Sequence, residues 1–316
     1  MSKLSGILVI GSMNMDLVVE TDRYPEEGET IIGGKFEQIP GGKGANQALA
    51  AAKLGNNVEF IGACGDDSFA PKLKSSLENG GAEINNIFEI KGVSTGVAVI
   101  TVDSAGNNRI IVSPGANYKL DQQKIEKIKD KIIEAQILLL QLEIPVETIE
   151  KIVEIAAANQ TKIILDPAPA QKLSDHILSK IDYLLPNEGE LDLLLAGAEA
   201  DSRKEKIEIL LNKGVKNIIV TEGKKGINYY SQNNELHLEA LKVKAADTTA
   251  AGDVFAGAFA ASLIAENDLE KSLEFAVQAA AYSVTKRGAQ SSIPDKNELS
   301  EFLAERSKLN EEKWNN

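Results

Sequence analysis

The chain has 316 residues, is 43% hydrophobic and 26% charged, and carries a formal net charge of −13 at pH 7. This balance is ordinary for a globular protein, and the length is ample for a sizeable core. The negative charge argues against nucleic acid or an anionic membrane as a partner recognised through a bulk field, although a local basic pocket is not excluded.

Counts of single residue types narrow the class further. The one cysteine, Cys64, excludes an intrachain disulfide and suits a reducing, cytoplasmic location; we expect a packed thiol at a strand end. Only two histidines are present, so neither a His-based triad nor a His-rich metal site is expected. No signal peptide is evident, and no run approaches the ~20 apolar residues of a membrane span.

The first part of the chain mixes fully apolar and alternating strand patterns. Strands are predicted over residues 7–10 and 58–61, and helices over 69–78 and 121–134, the last with Asp121 as its cap. The segments near 17–19, 31–34, 95–102 and 110–112 alternate more strongly, which predicts a separate small sheet.

From residue 137 onward strands and helices alternate. The predicted strands are 137–140, 163–165, 183–185 and 217–220, and the predicted helices are 146–159, a short one ending at 195, 204–213, 252–265, 269–286 and 297–307. Alternation of this kind predicts an α/β fold, a doubly wound and mostly parallel sheet with helices on both faces. We expect a single domain, 1–316, with a small β lid formed by segments near 13–40 and 94–113.

Polar residues recur where the predicted strands end, which is where open α/β sheets bind ligands. They are Asn14, Asp16, Glu143, Asn187, Thr221 and Asp253. Scattered polar residues would not fall repeatedly at such positions, so a site at this edge of the sheet is predicted.

Residues 246–253 are the most informative stretch, and are expected to end a polar strand and open an apolar helix. The small residues Ala250, Ala251 and Gly252 let backbone N–H groups approach a ligand at a helix N-terminus, which makes an anion site suited to phosphate. Asp253 beside it fits a base that takes the proton from an attacking hydroxyl. The alternative is an ordinary helix start with Asp as dipole partner.

A glycine-rich stretch, residues 40–48, leads into an alanine-rich helix that ends near Leu54. It is not a Walker A loop, because Lys43 is followed by Gly44. Its glycines would bring backbone, Lys43 and Asn46 up to a polyhydroxylated ligand; the alternative is a flexible loop before a helix.

Two further segments complete the pattern of a small-molecule kinase. Asn187 and Glu190 are three residues apart at a helix start, where the carboxylate could hold Mg²⁺ through water, or could simply be an acidic helix-start residue. Residues 221–226 contain two glycines and two lysines after a strand, which also fits a plain hairpin turn.

These motifs together resemble the PfkB family of sugar and nucleoside kinases over nearly the whole chain, from residue 7 to about 302. Residues 41–47 resemble the N-terminal signature of that family and residues 247–253 its C-terminal one. The segments 166–169, 186–188 and 288–290 are similar to members that phosphorylate ribose.

The resemblance implies a role for each matching residue. Asp253 would be the general base, and Ala250, Ala251 and Gly252 the anion hole. The sugar would be held by Asn14, Met15, Asp16, Gly42, Lys43, Gly44, Ala45, Asn46 and Glu143. ATP would be bound by Asn187, Glu190, Thr221, Glu222, Gly223, Lys224, Lys225, Gly226, Gly252, Asp253 and Val277, with Glu190 serving Mg²⁺ and phosphate. A monovalent cation (K⁺) would be held, largely through backbone oxygens, by Asp247, Thr249, Ser283, Lys286, Gly288 and Ser292.

The activity implied is ATP-dependent phosphorylation of D-ribose at its 5-hydroxyl, in a homodimer that pairs through the lid sheet. A kinase for another sugar or a nucleoside, such as 2-deoxyribose or adenosine, is the alternative within the same fold. A non-catalytic sugar-binding regulator is the alternative from another class, although pure binding would need neither Asp253 nor the anion hole. Val277 stands where a polar residue is common near adenine, so nucleotide preference is left open.

Overall fold

The computed structural model describes residues 6–198, 200–265 and 268–314, with side chains as far as residue 306. The described strands, in chain order, are β1 (Ile7–Ile10), β2 (Asn14–Glu20), β3 (Phe36–Gly41), β4 (Val58–Ile61), β5 (Ala63–Gly65), β6 (Ala82–Glu83), β7 (Phe88–Ile90), β8 (Gly96–Val102), β9 (Asn108–Ser113), β10 (Ile137–Leu140), β11 (Lys162–Leu165), β12 (Tyr183–Leu184), β13 (Asn217–Thr221), β14 (Ile227–Ser231) and β15 (Glu235–Leu238).

The helices of the described chain follow the same alternation. They are α1 (Lys43–Lys53), α2 (Phe69–Asn79), α3 (Gln122–Lys127), α4 (Lys129–Glu134), α5 (Val146–Ala158), α6 (Asp175–Leu178), α7 (Glu188–Leu194), α8 (Arg203–Asn212), α9 (Ala251–Ile264), α10 (Leu269–Ser283) and α11 (Lys296–Trp314). Short 3₁₀ helices lie at Gly115–Lys119, Gly223–Lys225 and Gln290–Ser292. Within these ranges no helix is long and apolar enough to cross a membrane.

A central sheet of nine described strands confirms the predicted doubly wound α/β fold. Its order is β15-β14-β13-β12-β11-β10-β1-β4-β6, parallel except for the pairs β13–β14 and β14–β15. Strand β1 explains the apolar runs: Ile7 and Val9 belong to one hydrophobic cluster, whereas Leu8 and Ile10 belong to a second on the opposite face. Helices cover both faces, so every residue of such a strand is buried.

A separate four-stranded sheet, which we call the lid sheet, has the order β3-β2-β8-β9. Register places Asp16 and Ile100 on a face that lines a cleft, while Phe36, Val99 and Ile111 share the other face. These three side chains are 56%, 41% and 72% exposed. The predicted small sheet is therefore present, with one face over a cleft and one apolar face uncovered.

Three local predictions were wrong. Residues 31–34 are not a strand: β2 instead pairs with β3, beginning at Val19 opposite Phe36, and Ile32 is 98% exposed. No strand leads directly into Ala246, because β15 ends at Leu238. The Ala246 amide donates to the Val284 carbonyl and not to a neighbouring strand. The helix predicted over 121–134 is broken at Ile128, where the amide bonds three residues back. No Gly or Pro marks that break, although Asp121 does cap the helix as predicted.

Helices α1 and α9 pack closely on one face of the central sheet, and a glycine allows it. A Cβ at Gly257 would lie 2.5 Å from the Gln47 carbonyl oxygen and 2.6 Å from the Ala50 side chain. No real Cβ approaches so closely, so only glycine fits. The helix that begins with the anion-site residues is thereby fixed against the helix that follows the glycine-rich stretch.

Candidate active site

The N-terminus of α9 forms the predicted anion site. Ala250 is its N-cap and has φ 63°, a left-handed conformation that costs free energy for a residue with a Cβ. The first intrahelical bond runs from the Val254 amide to the Ala250 carbonyl at 2.8 Å, so the preceding amides of the helix have no intrahelical acceptor. A Cβ at Gly252 would meet no atom within 4 Å, which leaves the approach to these amides open.

Asp253 lies at the base of this opening and is only 5% exposed. Its carboxylate accepts hydrogen bonds from Asn46 Nδ2 at 2.9 Å and from Gln47 Nε2 at 3.1 Å. Lys43 Nζ lies 3.9 Å from Oδ1. Helix α1, which follows the glycine-rich stretch, thus supplies donors to the carboxylate at the start of α9.

Asp166 is a site residue that the sequence analysis missed as a functional group. It directly follows β11 and is 6% exposed, and its Oδ2 accepts from Gln47 Nε2 at 2.7 Å and lies 3.8 Å from Lys43 Nζ. Burial raises the pKa of Asp166 to about 7, against the opposing effect of Lys43. Its position at a strand end was the signal that could have identified it.

Lys43 stands between these carboxylates with its side chain 31% exposed. Burial alone would lower the pKa of the Lys43 ammonium, but Asp166, Asp253 and Glu143 outweigh that effect and raise it. Lys43 therefore stays charged in the site at neutral pH.

The predicted sugar residues gather where β1 and β2 meet the start of α1. Glu143 Oε2 accepts from the Lys43 amide at 3.2 Å and from Asn14 Nδ2 at 3.5 Å, and it also contacts Ser12 Oγ. Asn117 Nδ2 donates to Asn14 Oδ1 at 2.7 Å. Ser12 and Asn117, like Asp166, were not anticipated, because neither belongs to a motif.

Glycines at the start of α1 permit this close approach. Gly42 has φ 92°, and a Cβ there would lie 2.6 Å from the Asn14 amide nitrogen. Gly44 similarly faces Ser12. Met15 and Ala45, also predicted to bind sugar, are 0% and 1% exposed within the core, and their roles toward a sugar stay predictions.

Asp16 extends this set onto the lid sheet. It is 9% exposed and lines a cleft of about 950 Å³ between the lid sheet and the loops 245–249 and 287–291. Among the described residues no side chain or amide donates a hydrogen bond to its carboxylate. Burial, and then the nearby charges of Glu143 and Asp253, raise the pKa of Asp16 to about 7.

A second cavity of about 220 Å³ is lined by Asp253 and shares Thr248 with the larger cleft, which Asp253 does not line. Its lining includes Lys43, Asp166, Asn187, Glu190, Thr221 and residues 250–253. Asn187 and Glu190 form a capping box: Asn187 Oδ1 accepts from the Glu190 amide at 2.8 Å, and Glu190 Oε2 accepts from the Asn187 amide at 2.9 Å. The helix-start alternative is therefore realised, and the same two side chains also face the cavity.

The remaining predicted nucleotide residues lie around a hairpin. Strands β13 and β14 are antiparallel, so the hairpin reading of residues 221–226 is correct, with Gly223 at φ 56° and Gly226 at φ 99°. The Glu222 carboxylate pairs with Arg203 and accepts from Asn228 Nδ2 at 2.8 Å.

Six of the residues predicted to bind ATP lie outside the lining of the smaller cavity: Glu222, Gly223, Lys224, Lys225, Gly226 and Val277. Lys224 and Lys225 are exposed, and Lys225 lies 3.8 Å from Glu188. Val277 is 8% exposed within the core. Their roles toward a nucleotide stay predictions.

The predicted cation residues are partly brought together. Asp247 accepts from the amides of Thr249 and Gly288, both at 2.9 Å. Burial raises the pKa of Asp247, but these hydrogen bonds lower it by more, so the pKa lies below its usual value. Ser283 and Ser292 donate to the carbonyls of Ala280 and Ala289, and Lys286 Nζ lies 5.5 Å from the Tyr282 ring.

Comparison with known proteins gives a consistent family assignment. The model of the pfkB family carbohydrate kinases matches residues 5–296. The chain is 43% identical over 300 residues to a ribokinase of Schizosaccharomyces pombe, covering 91% of this chain and 94% of that protein. It is 38% identical over 302 residues to a deoxyribokinase of Salmonella typhi, covering 94% and 98%.

The fold comparison agrees. The structure of an Arabidopsis thaliana ribokinase complexed with ribose and ATP superposes with a TM-score of 0.88. The two chains are 32% identical, and the match covers 94% of this chain and 98% of that one.

Proposed function

The chain belongs to the pfkB family of carbohydrate kinases, and from that membership we propose that it transfers the terminal phosphoryl group of ATP to the 5-hydroxyl of D-ribose. The observation that carries this proposal is the placement of Asp253. Its buried carboxylate lies at the N-terminus of α9 and lines the smaller cavity together with the predicted nucleotide residues Asn187, Glu190 and Thr221. The larger cleft under the lid sheet shares Thr248 with that cavity.

In this mechanism Asp253 takes the proton from the attacking hydroxyl. Asn46 and Gln47 hold its two carboxylate oxygens, so the base has a fixed direction. The amides of residues 250–252 receive the charge that develops on the transferred phosphoryl oxygens. Lys43, which stays charged, adds a cation to the lining of the smaller cavity.

Glu190 is the residue best suited to hold Mg²⁺ with the nucleotide. The capping box uses one of its carboxylate oxygens, and the other remains for a metal-bound water. Within the described residues, no cluster of three or more acidic, His or Cys side chains forms a metal cage. That agrees with an ion held by one or two carboxylates and the phosphates, which it would neutralise when bound.

A monovalent cation beside residues 247–249 would order the loop that leads into the anion site. Asp247 already ties this loop to Gly288. We expect faster turnover in potassium than in sodium or a bulky organic cation at equal ionic strength; equal rates in all three salts would remove this part of the proposal.

Asp16 is the residue proposed to select the sugar. A buried carboxylate that accepts no hydrogen bond from the described residues suits a pair of ring hydroxyls, and it would be left unpaired by an analogue lacking one. The deoxyribokinase relative makes 2-deoxyribose the second candidate substrate. Adenosine is disfavoured, because the chain is only 5% aromatic and the residues named for the sugar include no aromatic side chain.

The uncovered face of the lid sheet is proposed to pair with the same face of a second copy. Phe36, Val99 and Ile111 together form an exposed apolar surface of the kind that marks an interface. A monomer by light scattering at micromolar concentration would contradict the dimer.

A single assay tests the activity. The pure protein is mixed with Mg-ATP and, separately, ribose, 2-deoxyribose, adenosine or fructose 6-phosphate, and ADP is followed. We expect ribose to give the highest kcat/KM, with adenosine and fructose 6-phosphate inert. A preference for deoxyribose or adenosine would overturn the ribose assignment, and no turnover with any of the four would favour the non-catalytic alternative.

A further inference from the structure

One buried amide joins two carboxylates of the site. Gln47 Nε2 donates to Asp166 Oδ2 at 2.7 Å and to Asp253 Oδ1 at 3.1 Å. A side-chain NH₂ group has two hydrogens, and both are used here. Gln47 is 0% exposed, so it touches neither cavity and cannot contact a bound ligand.

The orientation of the Gln47 side-chain amide is set by the two carboxylates on one side and by a second glutamine on the other. If the group were turned over, its oxygen would face two carboxylates, which accept hydrogen bonds and cannot donate them when ionised. With the NH₂ group toward the carboxylates, Gln47 Oε1 needs a donor. Gln141 Nε2 supplies it at 2.6 Å.

Gln141 occupies its position at a cost. It directly follows β10 and is 0% exposed, and its own Oε1 has no hydrogen-bond partner among the residues that the structure describes. A Cβ at Gly11 would lie 2.0 Å from that oxygen, so glycine provides the room for it. An unpaired buried oxygen destabilises a fold, and an apolar side chain of similar size would avoid the cost. Folding alone therefore does not explain Gln141.

We propose that Gln47 and Gln141 form a two-amide chain that positions the Asp253 carboxylate and keeps Asp166 beside it. Both glutamines act as positioning residues, since neither reaches a ligand. This inference rests on the proposed role of Asp253 as the base. The other charged groups that face the carboxylate pair are Lys43, Asp16, Glu143 and Glu190.

Gln141→Leu tests the two-amide chain because it removes the donor to Gln47 and puts an apolar side chain of similar volume in its place. We expect kcat for ribose to fall roughly 10- to 100-fold, as for supporting partners of other site residues, with the KM values for sugar and ATP retained. Thr148→Val is the matched control, because Thr148 is also 0% exposed and its hydroxyl bonds to the Leu120 carbonyl at 2.7 Å. The control should keep the wild-type kcat.

Gln141→Glu makes kcat depend on pH in a way that a merely structural role of Gln141 would not. A neutral carboxylic acid can donate its proton to Gln47 Oε1, whereas a carboxylate cannot. The ratio of variant to wild-type kcat should therefore be near one at low pH and fall as the pH rises. This variant preserves the side-chain shape and carries the test if the Leu variant does not fold.

The outcomes separate this inference from the function on which it rests. A wild-type kcat for folded Gln141→Leu would overturn the amide chain, as would a kcat ratio for Gln141→Glu that stays constant across a pH range in which the introduced carboxyl is shown to ionise. If the wild-type protein turns over another sugar better than ribose, the ribose assignment fails, and the same variants are measured with that sugar.

Discussion

The central sheet and the lid sheet use apolar residues in opposite ways. Strand β10 is buried along its whole length, whereas every residue of β9 is exposed, including Ile110, Ile111 and Val112. The central sheet is held by packing on both faces, so the groups at its strand ends are fixed. The lid sheet lacks this packing, so its cleft face and its exposed apolar face are the surfaces proposed to meet a sugar and a second subunit. Chemistry should therefore depend on the first sheet, and selectivity and assembly on the second.

Loss of the proposed base should have the largest effect on turnover. That effect should not depend on the lid sheet. Asp253→Asn removes the proton acceptor but keeps the shape, so we expect kcat to fall by roughly 10²–10⁴-fold while ATP still binds. Steady-state kinetics and nucleotide titration measure the two quantities. If the variant turned over at the wild-type rate, the base would have been misassigned.

Truncation in the two regions should differ in its effect on stability. Leu139→Ala in β10 removes a fully buried side chain and should lower the free energy of unfolding by about 2–5 kcal/mol. Ile32→Ala, at a residue 98% exposed beside the lid sheet, should change it by less than about 0.5 kcal/mol. Urea denaturation of both variants compares them, and equal losses would contradict the contrast drawn above.

Substitution in the lid sheet should alter sugar choice more than chemistry. Above pH 7, where Asp16 is mainly ionised, Asp16→Asn replaces a charged acceptor, for which a hydrogen bond contributes about 1.5–3 kcal/mol, so kcat/KM for ribose should fall about 10- to 100-fold there. The preference for ribose over 2-deoxyribose should shrink with it. Competition assays with both sugars give the ratio; an unchanged ratio would move the selectivity away from Asp16.

The same residue predicts a pH dependence of stability without sugar. Burial raises the pKa of Asp16 to about 7, so its neutral form is favoured in the folded protein. The stability from this group is fully present below its unfolded pKa and is lost as pH rises through about 7. Asp16→Asn does not titrate, so its melting temperature relative to wild type should increase from pH 5 to pH 8. A constant difference would mean that Asp16 is ionised throughout.

The smallest effect on turnover should come from the outer face of the lid sheet. Ile111→Lys places a charge on the proposed dimer surface, where it would oppose a second copy. Light scattering should then report the monomer mass, whereas Lys119→Ala, at an exposed residue outside the lid sheet, should leave the mass unchanged. A dimer that survives Ile111→Lys would place the interface elsewhere.

Sequence patterns predicted the central sheet well, because its strands are continuous apolar runs that end in polar residues. They also located Asp253, Lys43, Asn46 and Glu143, which follow glycines or strand ends. They failed where the deciding interaction is distant in the chain: Gln47, Gln141 and Asp166 meet only when α1, β10 and β11 are assembled. No local pattern encodes that meeting.

The lid strand was misplaced for a related reason. Residues 31–34 and 36–41 both suit an edge strand, and pairing with β2 selects the second. The break at Ile128 has no Gly or Pro to mark it. In both cases tertiary packing, and not local composition, determines where the strand or helix lies.

The contact at Gly257 has a consequence for motion. Because α9 and α1 are too close for even a methyl group between them, the amides proposed to bind phosphate and the α1 side chains proposed to bind sugar belong to one closely packed pair of helices. The amide protons of these two helices should exchange with solvent only through global unfolding, whereas those of β9 should exchange through local opening. Any movement of the lid sheet on binding would therefore leave the distances between these two helices unchanged.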